Sequence, residues 1–241
     1  SKDAFELLKR GIRTIAELGA DVQLSPSQLI QQEAIRSGKP YLDKKGIGDF
    51  LKKLKYPLYF LDFETINTAI PLFDNVRPYS QVPFQFSLVI QEKPDSAPVE
   101  EAFLSDGKED PRPIILKQLK NYLGDSGSIV SYNAGFEKAR LRESSGVYTK
   151  YQSWCDEIEP RFVDLWEPFR SFLYYNAVQE GSASMKDVLP ALTGKGYDAL
   201  AIREGSLASS EFLRVTFGGD TATEREKVRK QLLEYCRQDT T

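Results

Sequence analysis

The spacing of apolar positions changes near residue 56, and the chain has two textures on either side. Before it, Phe5, Leu7, Leu8, Ile12, Ile15 and Leu18 recur at near-helical intervals, broken by Gly11 and Gly19. Ser25 followed by Gln28 has the form of a capping box and predicts the start of a further helix. From Tyr56 the runs are those of strands. Tyr59–Glu64, Phe84–Gln91 and Glu100–Leu104, joined through turn residues such as Pro71, Asn75 and Pro78, predict an antiparallel meander. A helix over Pro111–Tyr122, a strand over Ser128–Tyr132, a helix from Ala134 to Glu143 and a strand over Phe162–Leu165 follow. The order β-β-β-α-β-α-β makes the expected fold class α/β: a mixed sheet, antiparallel then parallel, with helices on both faces. Further helices are expected over Leu165–Tyr174, Met185–Leu192, Glu211–Phe217 and Thr223–Asp239, separated by glycines. The expected organisation is a helical lead-in over 1–55 and one α/β domain over 56–241. A start at Ser1 and a stop at Thr241 within an expected helix read as a piece of a longer polypeptide.

Composition narrows the chemistry. At 241 residues, 41% hydrophobic and 28% charged, the chain has the make-up of an ordinary globular protein with a full core. No apolar run approaches the roughly 18–20 residues that span a bilayer, and no signal peptide opens the chain. Cys155 and Cys236 are the only cysteines, too few for a disulfide framework, so a reducing cytoplasm is the expected location. Histidine is absent. That removes His general bases, Ser-His and Cys-His nucleophile pairs and His-ligated zinc, leaving carboxylates, Tyr, Lys and metal-bound water for any hydrolysis. A net charge of −3 argues against a broad basic surface for duplex DNA, though not against a single strand fed into a metal site.

Three stretches carry candidate chemistry. In Tyr59-Phe60-Leu61-Asp62-Phe63-Glu64-Thr65, strand alternation puts Asp62 and Glu64 on one face and Phe63 on the other. Two adjacent carboxylates repel, and a hard divalent cation is the natural neutraliser. In Ser131-Tyr132-Asn133-Ala134-Gly135-Phe136-Glu137, Asn133 is expected to cap a helix whose first turns carry Glu137 to the same sheet edge. In Leu232–Asp239, Tyr235 and Asp239 share a helix face at i,i+4. Each stretch alone is compatible with a strand-end acid, a surface helix Glu or a packed Tyr.

Their order resembles the three motifs of the DEDD superfamily, the DnaQ-like 3′→5′ exonucleases of ribonuclease H-like fold. Tyr235 points to the tyrosine subtype. The resemblance covers roughly residues 56–241. It implies that Asp62, Glu64, Glu137 and Asp239 bind two divalent ions, Mg²⁺ or Mn²⁺, and that Tyr235 orients the attacking water, completing the catalytic set. Phe63, Thr65, Asn133 and Lys138 would then meet substrate, a single-stranded or frayed nucleic-acid end. Glu137 departs from the Asp usual in the second motif. Its extra methylene shifts the carboxylate by about one bond length, which bears on the second ion. Asp164 matches a position where the family often carries Asp, and reads as a helix cap or a supporting group. The stretch Ser184–Gly194 also resembles an uncharacterised bacterial family in which such a domain follows a RecB-type nuclease module, an expected partner on the same polypeptide. Gly11–Leu18 resembles half of a helix-hairpin-helix element; otherwise it is a two-helix linker. Two alternatives stand beside the exonuclease: an endonuclease of the same fold, and a non-catalytic nucleic-acid-binding or assembly module.

Overall fold

The computed structural model describes residues 2–240, with side chains from residue 4 onward. The described chain forms two compact units: one from residues up to Lys52 plus Trp166–Lys195, the other from Lys53–Leu165 plus Gly196 onward. In chain order the elements are α1 (Lys2–Lys9), α2 (Pro26–Ser37), β1 (Tyr41–Leu42) and α3 (Lys44–Leu51), then β2 (Leu58–Ile66), β3 (Val82–Gln91) and β4 (Val99–Leu104). There follow α4 (Arg112–Tyr122), β5 (Ser128–Ser131), α5 (Gly135–Val147), α6 (Gln152–Ile158) and β6 (Phe162–Asp164). The chain continues through α7 (Glu167–Arg170), β7 (Tyr174–Tyr175), α8 (Met185–Thr193), α9 (Gly205–Phe217) and α10 (Ala222–Gln238). No described helix is long and apolar enough to cross a membrane.

In the first unit the capping box at α2 is present. Ser25 Oγ accepts the Gln28 N–H at 3.3 Å, and Gln28 Oε1 accepts the Ser25 N–H at 2.9 Å. The apolar periodicity from Phe5 to Leu18 yields helix α1 over its first part and, after Gly11, only a single 3-10 turn at Ile15–Glu17. Its carbonyls are taken by α2 side chains, Gln32 bonding Ile15 O and Leu18 O while Arg36 bonds Ala16 O and Leu18 O. The helix expected over Leu165–Tyr174 is likewise cut to one turn, α7. Phe172 takes a left-handed φ of 54°, and Tyr174 and Tyr175 pair antiparallel with Leu42 and Tyr41. That pairing joins 166–195 to the N-terminal unit, so the block expected as one domain over 56–241 is divided.

The second unit is a five-stranded mixed sheet in the order β4-β3-β2-β5-β6. β2 pairs antiparallel with β3 and parallel with β5, and β5 is parallel to β6. One face carries Tyr59, Leu61 and Phe63 of β2 opposite Ile90, Leu88 and Phe86 of β3. These pack into a core with Ile115, Leu116 and Leu119 of α4, Leu141 of α5 and Trp154 of α6. Burying each such side chain contributes about 1.5–3 kcal/mol. Helix α6 was not foreseen. On β3 the register steps from Gln85 opposite Glu64 to Pro83 opposite Thr65, leaving Phe84 as the extra residue of a bulge. Phe84 stacks on Phe212 of α9 with ring centroids 4.0 Å apart.

Candidate functional site

The other face of β2 is polar where the aromatic face is most apolar. Asp62 lies opposite Ser87 and Glu64 opposite Gln85. Helix α10 covers them, tied down by two side-chain hydrogen bonds from β3: Gln85 Nε2 donates to Leu232 O at 2.8 Å, and the Ser87 and Thr240 hydroxyls share a bond of 2.7 Å. This tether brings Tyr235, Cys236 and Asp239 over the acid pair. From the parallel half of the sheet, the turn after β5 feeds α5 and places Glu137 in its first helical turn. The turn itself is held by Asp164 at the end of β6, whose Oδ1 accepts the Asn133 N–H at 2.9 Å.

Carboxylates converge here in a buried setting. Potential ligand atoms of Asp62, Glu64 and Cys236 lie within 4.8 Å of one another. Burial holds the Asp62 carboxyl well above the usual carboxylate range, and the charges of Asp239, Glu64 and Glu137 push the same way. Glu137 is 2% exposed, and its Oε2 has no hydrogen-bond partner among the described residues. Burial, reinforced by Asp164 and Asp239, raises it to about 8 against a bond from its own amide and the opposing charge of Arg140. The Tyr197 hydroxyl donates to Asp239 Oδ1, and its ring lies 6.1 Å from that of Tyr235. Burial, with the neighbouring acids, pushes both phenols above their ordinary value, so both keep their protons at neutral pH. Glu64 faces the first turn of α9: a side-chain carbon on Gly205 would stand 3.4 Å from Glu64 Oε2. The positive end of that helix favours negative charge there.

Beside Glu64 opens a cavity of about 540 Å³, bordered by Thr65, Gln81, Phe136, Gly205 and Ser209. Its volume lies within the range of small-ligand pockets, about 300–1,000 Å³. The acids and this cavity suit a hard divalent cation: the donors are mostly carboxylate oxygens, and Glu137 Oε2 is a buried acceptor with nothing to accept from.

A family model described as "Domain of unknown function (DUF2779)" matches residues 59–184, more than half of the chain. The chain belongs to the DUF2779 family. It is also similar to the uncharacterized protein MG366 homolog of Mycoplasma pneumoniae, 27% identical over 223 residues, covering 82% of this chain and 33% of that protein. The uncharacterized protein UU173 of Ureaplasma parvum is 26% identical over 213 residues, covering 79% and 31%. The uncharacterized protein MG366 of Mycoplasma genitalium is 26% identical over 229 residues, covering 86% and 34%. The chain thus spans about a third of the length of the curated relatives it matches. No solved structure matches it significantly.

The DUF2779 match contains Asp62, Glu64, Glu137 and Asp164 and ends before Tyr197, Tyr235 and Asp239. Among the described residues, Asp62, Glu64 and Cys236 form a cluster whose possible metal ligands lie within 4.8 Å of one another, and that cluster lacks Glu137 and Asp239. Those two act on Asp62 through their charges. Asn133 does not cap α5: the cap is Ala134, without a side-chain bond, and Asn133 takes a left-handed φ of 66° in the preceding turn. Asn tolerates that conformation because its short polar side chain costs little there. Phe63 is 4% exposed, within the core. Thr65 Oγ1 bonds Gln81 Oε1 at 2.5 Å on the cavity wall. Lys138 lies 3.7 Å from Glu159, whose carboxylate Arg142 holds more closely at 2.6 Å. Sequence reasoning missed Tyr197 and the role of Cys236. Tyr197 follows the Gly194-Lys195-Gly196 break and had no periodic or motif signal; Cys236 adjoins Tyr235, and its helical position over β2 was the available clue.

Proposed function

We propose that this DUF2779 chain carries a metal-dependent nuclease that removes nucleotides from the 3′ end of a DNA or RNA strand, on a ribonuclease H-like form of the α/β sheet. The observation that carries the reading is the acid pair on central strand β2, with the charges of Glu137 and Asp239 acting on the same Asp62. The strand order, three antiparallel members followed by two parallel ones, is consistent with it.

Asp62, Glu64, Glu137 and Asp239 are the residues that would hold Mg²⁺ or Mn²⁺. When bound, such ions supply polarisation of the phosphoryl oxygens and acidification of water. Tyr235 keeps its proton at neutral pH and so would orient a water by hydrogen bonding instead of acting as a base. Tyr197 holds Asp239 by one oxygen and fixes that carboxylate against rotation. The cavity beside Glu64 would receive the terminal nucleotide, with the half-buried ring of Phe136 on its wall. A base could stack on such a ring without regard to sequence. A RecB-type module elsewhere on a longer polypeptide and a cytoplasmic setting belong to the same proposal.

The test is digestion of end-labelled linear and circular oligonucleotides of DNA and RNA with Mg²⁺, with Mn²⁺ and with chelator. Linear strands should shorten from the 3′ end only with metal, and circles should survive. Asp62→Asn should lower the rate on the order of a thousandfold, the loss of several kcal/mol of charge stabilisation, while the fold is kept. A variant as active as the parent would remove this mechanism. Cleaved circles would favour the endonuclease, and inert substrates under every metal would favour the binding module.

A further inference from the structure

The acid pair shares its face with a sulfur. We infer that this face of β2 also takes a borderline divalent ion of the zinc class, held by Asp62, Glu64 and the thiolate of Cys236. The inference rests on reading this face of β2 as a metal site and adds which other ions it accepts.

Distance is the first argument. A tetrahedral ion with a thiolate at about 2.3 Å and a carboxylate oxygen at about 2.0 Å separates those two ligand atoms by about 3.5 Å. Cys236 Sγ and Asp62 Oδ2 are 3.5 Å apart, and Glu64 completes a set within 4.8 Å. The same separation suits the S–H···O hydrogen bond that holds the pair together without metal. The sulfur is also preorganised. Cys236 is fully buried on α10, and Gln85 and Ser87 fasten that helix to the neighbouring strand. An independent pointer is Glu137, 2% exposed with an unpartnered Oε2, whose charge reaches Asp62. It is a buried acceptor suited to an ion or an ion-bound water.

Donor chemistry sets the class. Carboxylate and water ligands alone suit Mg²⁺ and Mn²⁺, whereas a thiolate in the set shifts preference toward Zn²⁺ and Co²⁺, which also stand higher in the general order of affinity. Binding breaks the S–H bond heterolytically. The electron pair stays on sulfur and forms the metal bond, the proton leaves to solvent, and nothing is oxidised or reduced. Such an ion would occupy Asp62 and Glu64 and so exclude the ions needed for hydrolysis, making zinc an inhibitor of the proposed reaction.

Cobalt titration tests the inference through a signal other than activity. Adding Co²⁺ to the chain should produce sulfur-to-cobalt charge-transfer absorption, and Zn²⁺ should abolish it by competition. The chain has two cysteines. Cys155→Ser should keep the band, which assigns it to Cys236 even if Cys236 variants fold poorly. Cys236→Ser should lose it and bind Zn²⁺ more than about a hundredfold more weakly, beyond the ~10–100-fold that outer contacts cost. Cobalt that does not bind, or binds without the band, overturns the inference, as does a band lost in Cys155→Ser. A chain that shows the band yet degrades no oligonucleotide keeps this site and loses the nuclease. A chain that degrades oligonucleotides without the band does the reverse.

Discussion

The two faces of β2 are built on opposite principles within one nine-residue strand. Toward α4, α5 and α6, Tyr59, Leu61 and Phe63 meet Ile90, Leu88 and Phe86 and are held mainly by apolar burial, with one hydrogen bond from the Gly124 N–H to the Tyr59 hydroxyl. Toward α10, Asp62 and Glu64 meet Ser87 and Gln85, and the helix is held by hydrogen bonds amid charges that repel. The first face contributes stability. The second draws on it, because burial and neighbouring acids raise Asp62 and Glu137 toward the neutral form. A strand with period-two alternation can do both at once, since each face answers to its own neighbours.

Removing apolar contact from the first face should have the largest effect. Phe86→Ala, at a ring that is fully buried, should cost about 3–5 kcal/mol in urea unfolding. A loss under 1 kcal/mol would mean that the aromatic face is not what supports the edge. The next effect, of a few kcal/mol, should come from pH on the second face. Glu137 titrates near its ordinary 4.5 when unfolded and at about 8 in the fold. Its contribution is therefore fully present below about pH 4.5 and is lost as pH rises through 8. Asp62, raised in the same direction, adds to the trend. With chelator present, the urea midpoint should fall between pH 5 and pH 8.5, and Mn²⁺ should restore more stability at the higher pH. A midpoint that rises over that interval would contradict the description of the edge. The smallest effect is expected from Tyr197→Phe, which deletes one hydrogen bond to Asp239. About 1 kcal/mol should be lost in chelator, and Mn²⁺ affinity measured by calorimetry should weaken several-fold. Unchanged metal affinity would make Tyr197 a packing residue only.

Much of the first face could be read from the chain. The aromatic alternation at Tyr59–Phe63 and the apolar run Phe84–Gln91 each carry their cause in adjacent residues, as does the capping box at Ser25 in the N-terminal unit. The second face was legible only as residue types, Asp62 with Glu64 and Tyr235 with Asp239. Its partners come from 144 to 174 positions away, as in the contacts of Ser209 with Thr65 and of Cys236 with Asp62, which tertiary packing dictates and no local pattern encodes. The errors follow the same division. Phe172 ended a helix early through a backbone angle that its side chain does not announce, and Asn133 served a left-handed turn although its residue type equally suits a cap.

The bulge at Phe84 has a consequence for the opening near Glu64. By leaving its pairing with β2 it stacks on Phe212 in the middle of α9, while nearer the start of that helix Gly205 faces Glu64 and Ser209 bonds Thr65 O. The helix is anchored along its length, at buried Ala208 and Val215 as well as at Phe212, and the aromatic clasp is the anchor that reaches the strand bulge beside the opening. Trimming that clasp should alter how wide the mouth stands without touching any acid.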